Sequence, residues 1–306
     1  MLSRVANNVY WMARYIERTE NTARLINVNT HLLLDLPRRV RLGWAPIVDI
    51  TSSREEFHAL YPDSDERSVL RFMIMDTRNP SSILTSLGFA RENARTIRDI
   101  IPREAWEQVN ELYLKAKSNA QSGITHRHRY DYLRSIILGA QTITGLLAGT
   151  MTHDEGYDFL RMGRNLERAD MTTRIVDVRS ATLLPEMPED MTPFENLQWM
   201  SVLKSLTAYQ MYRREMRLRI RRPDVLKFLF QEKRFPRAVH HTLCEVETCL
   251  KDLPHSEKPL NLLTKLKRKL LKAKLQDLDQ QSLHLFIDEL QLGMSKIDNS
   301  ITSTYF

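Results

Sequence analysis

The sequence predicts an all-α protein, and three observations carry that expectation. Apolar residues return at helical spacing over long stretches, as Val5, Val9, Met12, Ile16 and Ala23 do within 3–34. The 306 residues include only nine glycines, about 3% against a usual ~7%, too few for hairpin-rich sheets or glycine-rich phosphate loops. No stretch alternates β-branched and polar residues over the length of a strand. With 42% hydrophobic and 27% charged residues the chain can fill a core, which excludes wholesale disorder.

The elements follow in order. Ser3 to Leu34 reads as one long helix, and the proline-bearing stretch Leu36 to Pro46 as a loop. Asn79-Pro80 sets a capping side chain before a first-turn proline, and Pro102 opens a further helix. The uncharged stretch Ser135 to Thr152 contains a glutamine and four threonines. That composition favours a buried core helix over a membrane span, with Gly145 and Gly149 letting a neighbour approach. His126 and His128 beside Arg127 and Arg129 read as a loop, and no third ligand makes them a metal site. Leu183 to Pro193 is a loop, after which Thr192-Pro193-Phe194-Glu195 forms a capping box. Pro223 and Pro236 open further helices, and Leu253 to Pro259 is the last loop. Beyond it, Leu263, Leu266, Leu270 and Leu271 mark an amphipathic helix whose outer face, within Lys265 to Lys274, is basic and solvated or a docking surface.

The opening residues carry Arg4, Arg14, Glu17 and Arg18 with no apolar block, so no signal peptide is expected. Cys244 and Cys249 offer neither a disulfide framework nor a zinc spacing, and the reducing cytoplasm is the expected location. Neither a metal nor a cofactor is expected. A net charge of +7 points to acidic partners, yet is modest for a dedicated nucleic-acid binder.

An internal repeat is the most informative feature. Shifted by 150, Met12–Val28 lies on Met162–Val178 with seven of seventeen pairs identical, among them Arg14/Arg164, Glu17/Glu167, Arg18/Arg168 and Arg24/Arg174. The expectation is a single helical-bundle domain over 1–306, built from pseudo-equivalent halves of about 1–150 and 151–306. On a helix Arg14, Glu17, Asn21 and Arg24 share an arc of about 80°. That arc can be an ordinary solvated face. However, apolar groups bracket it, and the second copy runs Leu160, Arg164, Glu167, Met171, Arg174, Val178 along one stripe, which suits a helix buried on two sides. Buried charges must be paired. Either the copies pair with one another as a brace, or their arginines hold an anionic ligand. In both cases the two repeated helices are expected to pack together.

These residues resemble the Alpha-E family. The resemblance rests on the RxxER signatures at Arg14–Arg18 and Arg164–Arg168, on 90–95 (ARENAR) and 151–156 (MTHDEG), and on 212–214 (YRR) and 234–237 (RFPR). It covers roughly residues 1–250, and the family's ER residues fall on Glu17/Arg18 and Glu167/Arg168. His240-His241 stands where a more arginine-like pattern is expected. The resemblance implies an α-helical bacterial protein encoded beside an ATP-grasp ligase and a transglutaminase-like protein. By that implication the chain is an accessory or co-catalytic component in peptide synthesis or modification, binding an anionic amino-acid or peptide group.

Further basic groups extend the candidate ligand set. Arg91, Arg95 and Arg98 form a stripe on the Pro80 helix, with Arg234 and Arg237 on its counterpart. Like charges so stacked face acids of the protein or an anion. Two alternatives stand beside the binding role. One is a stand-alone amino-group-transferring enzyme using Glu17 or Glu167, against which neighbouring arginines would lower the carboxyl pKa and no nucleophile is in view. The other is an RNA-binding module on the helix Arg213–Arg222, although stacking aromatics are not interleaved through it and nucleic acid is not the favoured partner.

Overall fold

A computed structural model of the chain describes residues 1–35, 43–181, 192–216 and 219–306, leaving the side chains of 181 and 192–195 outside that description. The chain is 80% helical, with no strand among the described residues, so the protein is all-α. It divides into two compact units. The first holds 1–29, 43–167 and 305–306; the second holds 30–35 and, of the described residues, those of 168–304.

The first unit takes α1 (Ser3–Asp35) as far as Asn29 and α9 (Glu155–Ala181) as far as Glu167. Between them come α2 (Ala45–Ile50), α3 (Arg54–His58), α4 (Glu66–Ile74), α5 (Ile83–Thr96), α6 (Arg103–Ser118), α7 (Ala120–Ile124) and α8 (His126–Thr150). The predicted stripe of α1 is core: Val9 and Met12 are fully buried and Ile16 nearly so, each such side chain contributing roughly 1.5–3 kcal/mol. Phe57, Tyr61 and Phe72 pack ring to ring at 5.2–6.0 Å beside α4. Tyr305 and Phe306, at the far end of the chain, pack on Phe159, and Phe306 also on Tyr10.

The second unit adds α10 (Thr192–Ser205), α11 (Tyr209–Met216), α12 (Arg222–Gln231), α13 (Val239–Lys251), α14 (Glu257–Lys272) and α15 (Gln280–Tyr305). Leu263, Leu266 and Leu270 of α14 are buried with Leu283, Ile287 and Leu290 of α15. The Gln231 amide closes the C-terminus of α14 by donating to the carbonyls of Leu270 and Ala273. Asp279 opens α15 by accepting from the Ser282 N–H.

Several local expectations are corrected. Asn79 does accept from the Ser81 N–H, but as a turn; Ser82 is the residue that caps α5. His126 and His128 lie in the first turn of α8 rather than in a loop. Pro236 sits in a turn three residues ahead of α13, and Arg234 and Arg237 lie in the same connection instead of on a helix. Arg213–Arg222 is not one helix: α11 ends at Met216, Arg219 to Arg221 are non-helical, and Arg217 lies outside the described residues. The reason is Pro223, whose ring would clash with the carbonyl of Arg219 four residues back in a continuous helix. That carbonyl instead accepts from the Tyr212 hydroxyl. The loops expected at Leu36 and Leu183 fall largely outside the described residues, as do the side chains of the capping box at Thr192.

Helix α8 buries one face only, and no helix among the described residues is long and apolar enough to cross a membrane. Its glycines reverse the expectation. A Cβ at Gly145 or Gly149 would meet nothing within 4 Å, whereas one at Gly139 would stand 2.6 Å from Leu112 Cδ1, and one at Gly163 of α9 only 2.3 Å from the Tyr10 carbonyl oxygen of α1. Close approach on α8 therefore falls at Gly139, not at Gly145 or Gly149, and α9 meets α1 at Gly163. Gly163→Ala should lower the unfolding free energy by about 2 kcal/mol through overpacking against backbone. Gly145→Ala, exposed and helical, should raise it by up to about 1 kcal/mol. Urea unfolding of the two variants checks the pair, and a neutral Gly163→Ala would refute the α1–α9 contact.

Candidate functional site

The two ER helices meet within the first unit, as Gly163 on Tyr10 requires, and their charges meet there too. Glu167 is only 2% exposed. Arg14 Nε donates to its Oε2 at 2.9 Å, Arg18 Nε to its Oε1 at 2.6 Å and Arg18 Nη2 to its Oε2 at 3.0 Å. One carboxylate of α9 is thus gripped by two guanidiniums of α1, one of them as a two-pronged fork. Burial pushes the Glu167 carboxyl up, but Arg18 and Arg14 outweigh it and hold it at about 2. Glu167 is therefore ionised at any physiological pH and has no proton to donate.

Aromatic rings back the clamp. Arg14 lies over Trp11 at 4.8 Å and Tyr10 at 5.7 Å, and Arg18 over Tyr15 at 5.5 Å. Tyr15 in turn packs against Trp11 and Phe89. Glu17 is as buried as Glu167. Glu20, also buried, accepts from Arg24 at 2.6 Å and from the Gln141 amide at 3.2 Å. Further along α9, Arg174 pairs with Asp170 at 2.7 Å. Arg164 and Arg168 are half-buried on α9.

The outlying arginines are not alike. Arg91 donates to Asn110 and pairs with Glu92, which also takes Arg95, so the protein's own acid answers both. Arg98 lies beyond the end of α5. Arg234 is exposed and bonds Glu232 through its backbone N–H, whereas Arg237 is buried and its carbonyl accepts from Thr172 of α9. His240 is buried, which lowers its pKa and keeps the ring neutral at pH 7.

Two buried arginines escaped the sequence reading. Arg129 is wrapped by the Gly123 and Ile124 carbonyls, by Glu66 and by the Trp44 ring. It sits in a basic run that reads as solvated. Arg179 is 1% exposed, and burial lowers its pKa to about 10. The available signal was its place 150 residues after Asn29, which is likewise buried. In the second unit His284 bonds Asp177 at 2.8 Å through Nδ1 and faces Asp288 at 3.6 Å through Nε2. Both ring nitrogens thus face carboxylates, and the bond to Asp177 raises the His284 pKa.

An all-helical protein organised on an arginine-clamped glutamate is the class these features define. A family model described as "a predicted alpha-helical domain with a conserved ER motif" matches residues 1–306. The chain belongs to that family, Alpha-E. It is similar to an uncharacterised protein of Mycobacterium bovis, 23% identical over 305 residues, and to one of Mycobacterium tuberculosis, 22% identical over 305 residues; each match covers 91% of this chain and 33% of the relative. The chain therefore spans a third of the length of these curated relatives. No solved structure matches it.

Proposed function

We propose that the chain is an accessory or co-catalytic component of an ATP-grasp amide- or peptide-ligase system, and that it holds an anionic amino-acid or peptide group through duplicated Arg/Glu clusters. The observation that carries this reading is the seat of Glu167, a carboxylate held by three hydrogen bonds from Arg14 and Arg18. It is a working template for carboxylate recognition, since the α-carboxylate of an amino acid has the same shape and charge. The duplication belongs to the same reading. Burial along 161–180 follows that along 11–30 except at three positions, and Glu20–Arg24 recurs as Asp170–Arg174. The length of the relatives supports a partner, because in them a region similar to this chain is accompanied by twice as much further polypeptide.

The stand-alone enzyme loses support at Glu167, whose clamp removes it as a general acid. The RNA reading loses its continuous helix. A structural brace remains as a second reading, favoured by the 2% exposure of Glu167. The test is amino-acid-dependent ADP release by an ATP-grasp protein of the kind encoded beside family members, with and without this chain. Release should require both proteins, and Glu17→Gln should abolish it while leaving the fold intact. Equal release without this chain, across a broad panel of amino acids and peptides, would overturn the proposal.

A further inference from the structure

Charge is concentrated in one place on this protein. Residues 257–274 hold six lysines and one arginine against one glutamate, and so account for all but one unit of the net charge of +7. On α14, Lys258, Lys265, Lys269 and Lys272 share an arc of about 60°, and all four are exposed. Lys267 is set apart on another side of the helix, paired with Glu247 of α13.

The row of lysines has a defined neighbour. Lys269 pairs with Glu289 of α15, and Gly293 of α15 is pressed against Leu266 of α14. The α15 face beside the lysines therefore runs Leu285, Glu289, Leu292, Lys296 at spacings of four, three and four. Leu285 and Leu292 are 57% and 62% exposed. They stand one heptad apart, about 10 Å along the axis. Two exposed leucines in register, bordered by a row of lysines, have the layout of half a coiled-coil seam with its flanking charges.

From this juxtaposition we infer that the α14–α15 face is a docking surface for an acidic amphipathic helix of a partner protein. The partner's apolar seam seats on Leu285 and Leu292, and its flanking Asp or Glu side chains meet Lys258, Lys265 and Lys272. Charge complementarity and the heptad spacing select this occupant. A second copy presents the same lysines and repels them. Nucleic acid would seek stacking aromatics, and α14 and α15 expose none on this face. An anionic bilayer would seek the apolar stripe of α14, but Leu263, Leu266 and Leu270 are committed to the core, and of that stripe Leu271 alone is exposed. The surface lies apart in sequence from the ER residues, so its function does not depend on what they bind.

The test uses the full chain and a fluorescein-labelled synthetic helix of three heptads, with leucine on its seam and glutamate at the flanking positions. Anisotropy at physiological salt should show binding, and none to the same peptide with lysine in place of glutamate. Lys258→Glu/Lys265→Glu/Lys272→Glu should weaken binding about tenfold or more, and so should Leu285→Ser/Leu292→Ser. All five side chains are exposed, so circular dichroism and Tm should stay at wild-type values. Equal affinity for the two peptides, or unchanged affinity in either variant, would overturn the inference. So would tighter binding to phosphatidylglycerol vesicles or to poly(U) than to the acidic peptide, which would assign the face to lipid or RNA.

Discussion

Glu167→Ala should lower the unfolding free energy of the chain by about 3–5 kcal/mol, the usual consequence of removing one partner from a buried ion pair. The loss exceeds that of the carboxylate's own contacts, because Arg14 and Arg18, with side chains only 12% and 19% exposed, are left facing each other. Glu167→Gln should cost less: its carbonyl oxygen still accepts from a guanidinium, while its amide N–H₂ opposes the other. Urea unfolding measures both, and a value unchanged in the alanine variant would contradict the clamp. Paired with ADP release, the glutamine variant separates the two readings of the site. A folded protein that no longer supports release marks a ligand site, whereas activity that falls only in step with stability marks a brace.

Acid unfolding should expose the same residue. The folded-state pKa of Glu167 lies below the ordinary glutamate value, so its contribution is complete above about pH 5 and is lost as pH falls toward 2. The stability at stake is about 3 kcal/mol. Asp76 adds to the same limb, since the Arg78 guanidinium and then the Tyr61 hydroxyl hold its carboxyl below the usual range. Glu167→Gln should therefore flatten, without abolishing, the fall in unfolding free energy between pH 5 and 2. An acid limb as steep as that of the wild type would remove Glu167 as its cause.

What the sequence disclosed, and what it withheld, follow the range of the forces involved. Helix α1 was legible almost to the residue, because periodicity and the absence of glycine and proline within Ser3–Asp35 are local properties. The burial of Glu17 and Glu167 was legible as one of two readings, through apolar residues bracketing a charged stripe. Contacts between distant segments were not legible. Gly145 and Gly149 have the spacing of a helix-packing motif, yet face open space, while Gly139 and Gly163 are closely approached with no motif to announce it. Nor did a basic run reveal Arg129, since only tertiary packing brings Trp44 and Glu66 around it. Arg234 and Arg237 look alike in sequence; the turn at Pro236 sends one to water and the other to the core.

The separation of the clamp's two halves has a kinetic consequence. Arg18 and Glu167 stand 149 residues apart, which a ribosome covers in roughly 7–30 s at ~5–20 residues per second. Through that interval Arg18 has been made and the carboxylate it grips has not. The Arg18–Glu167 bonds cannot form until α9 emerges, so α1 reaches its final burial only after synthesis has passed through α8. The clamp is thus a late checkpoint in the assembly of the first unit, closed only after most of that unit's helices exist.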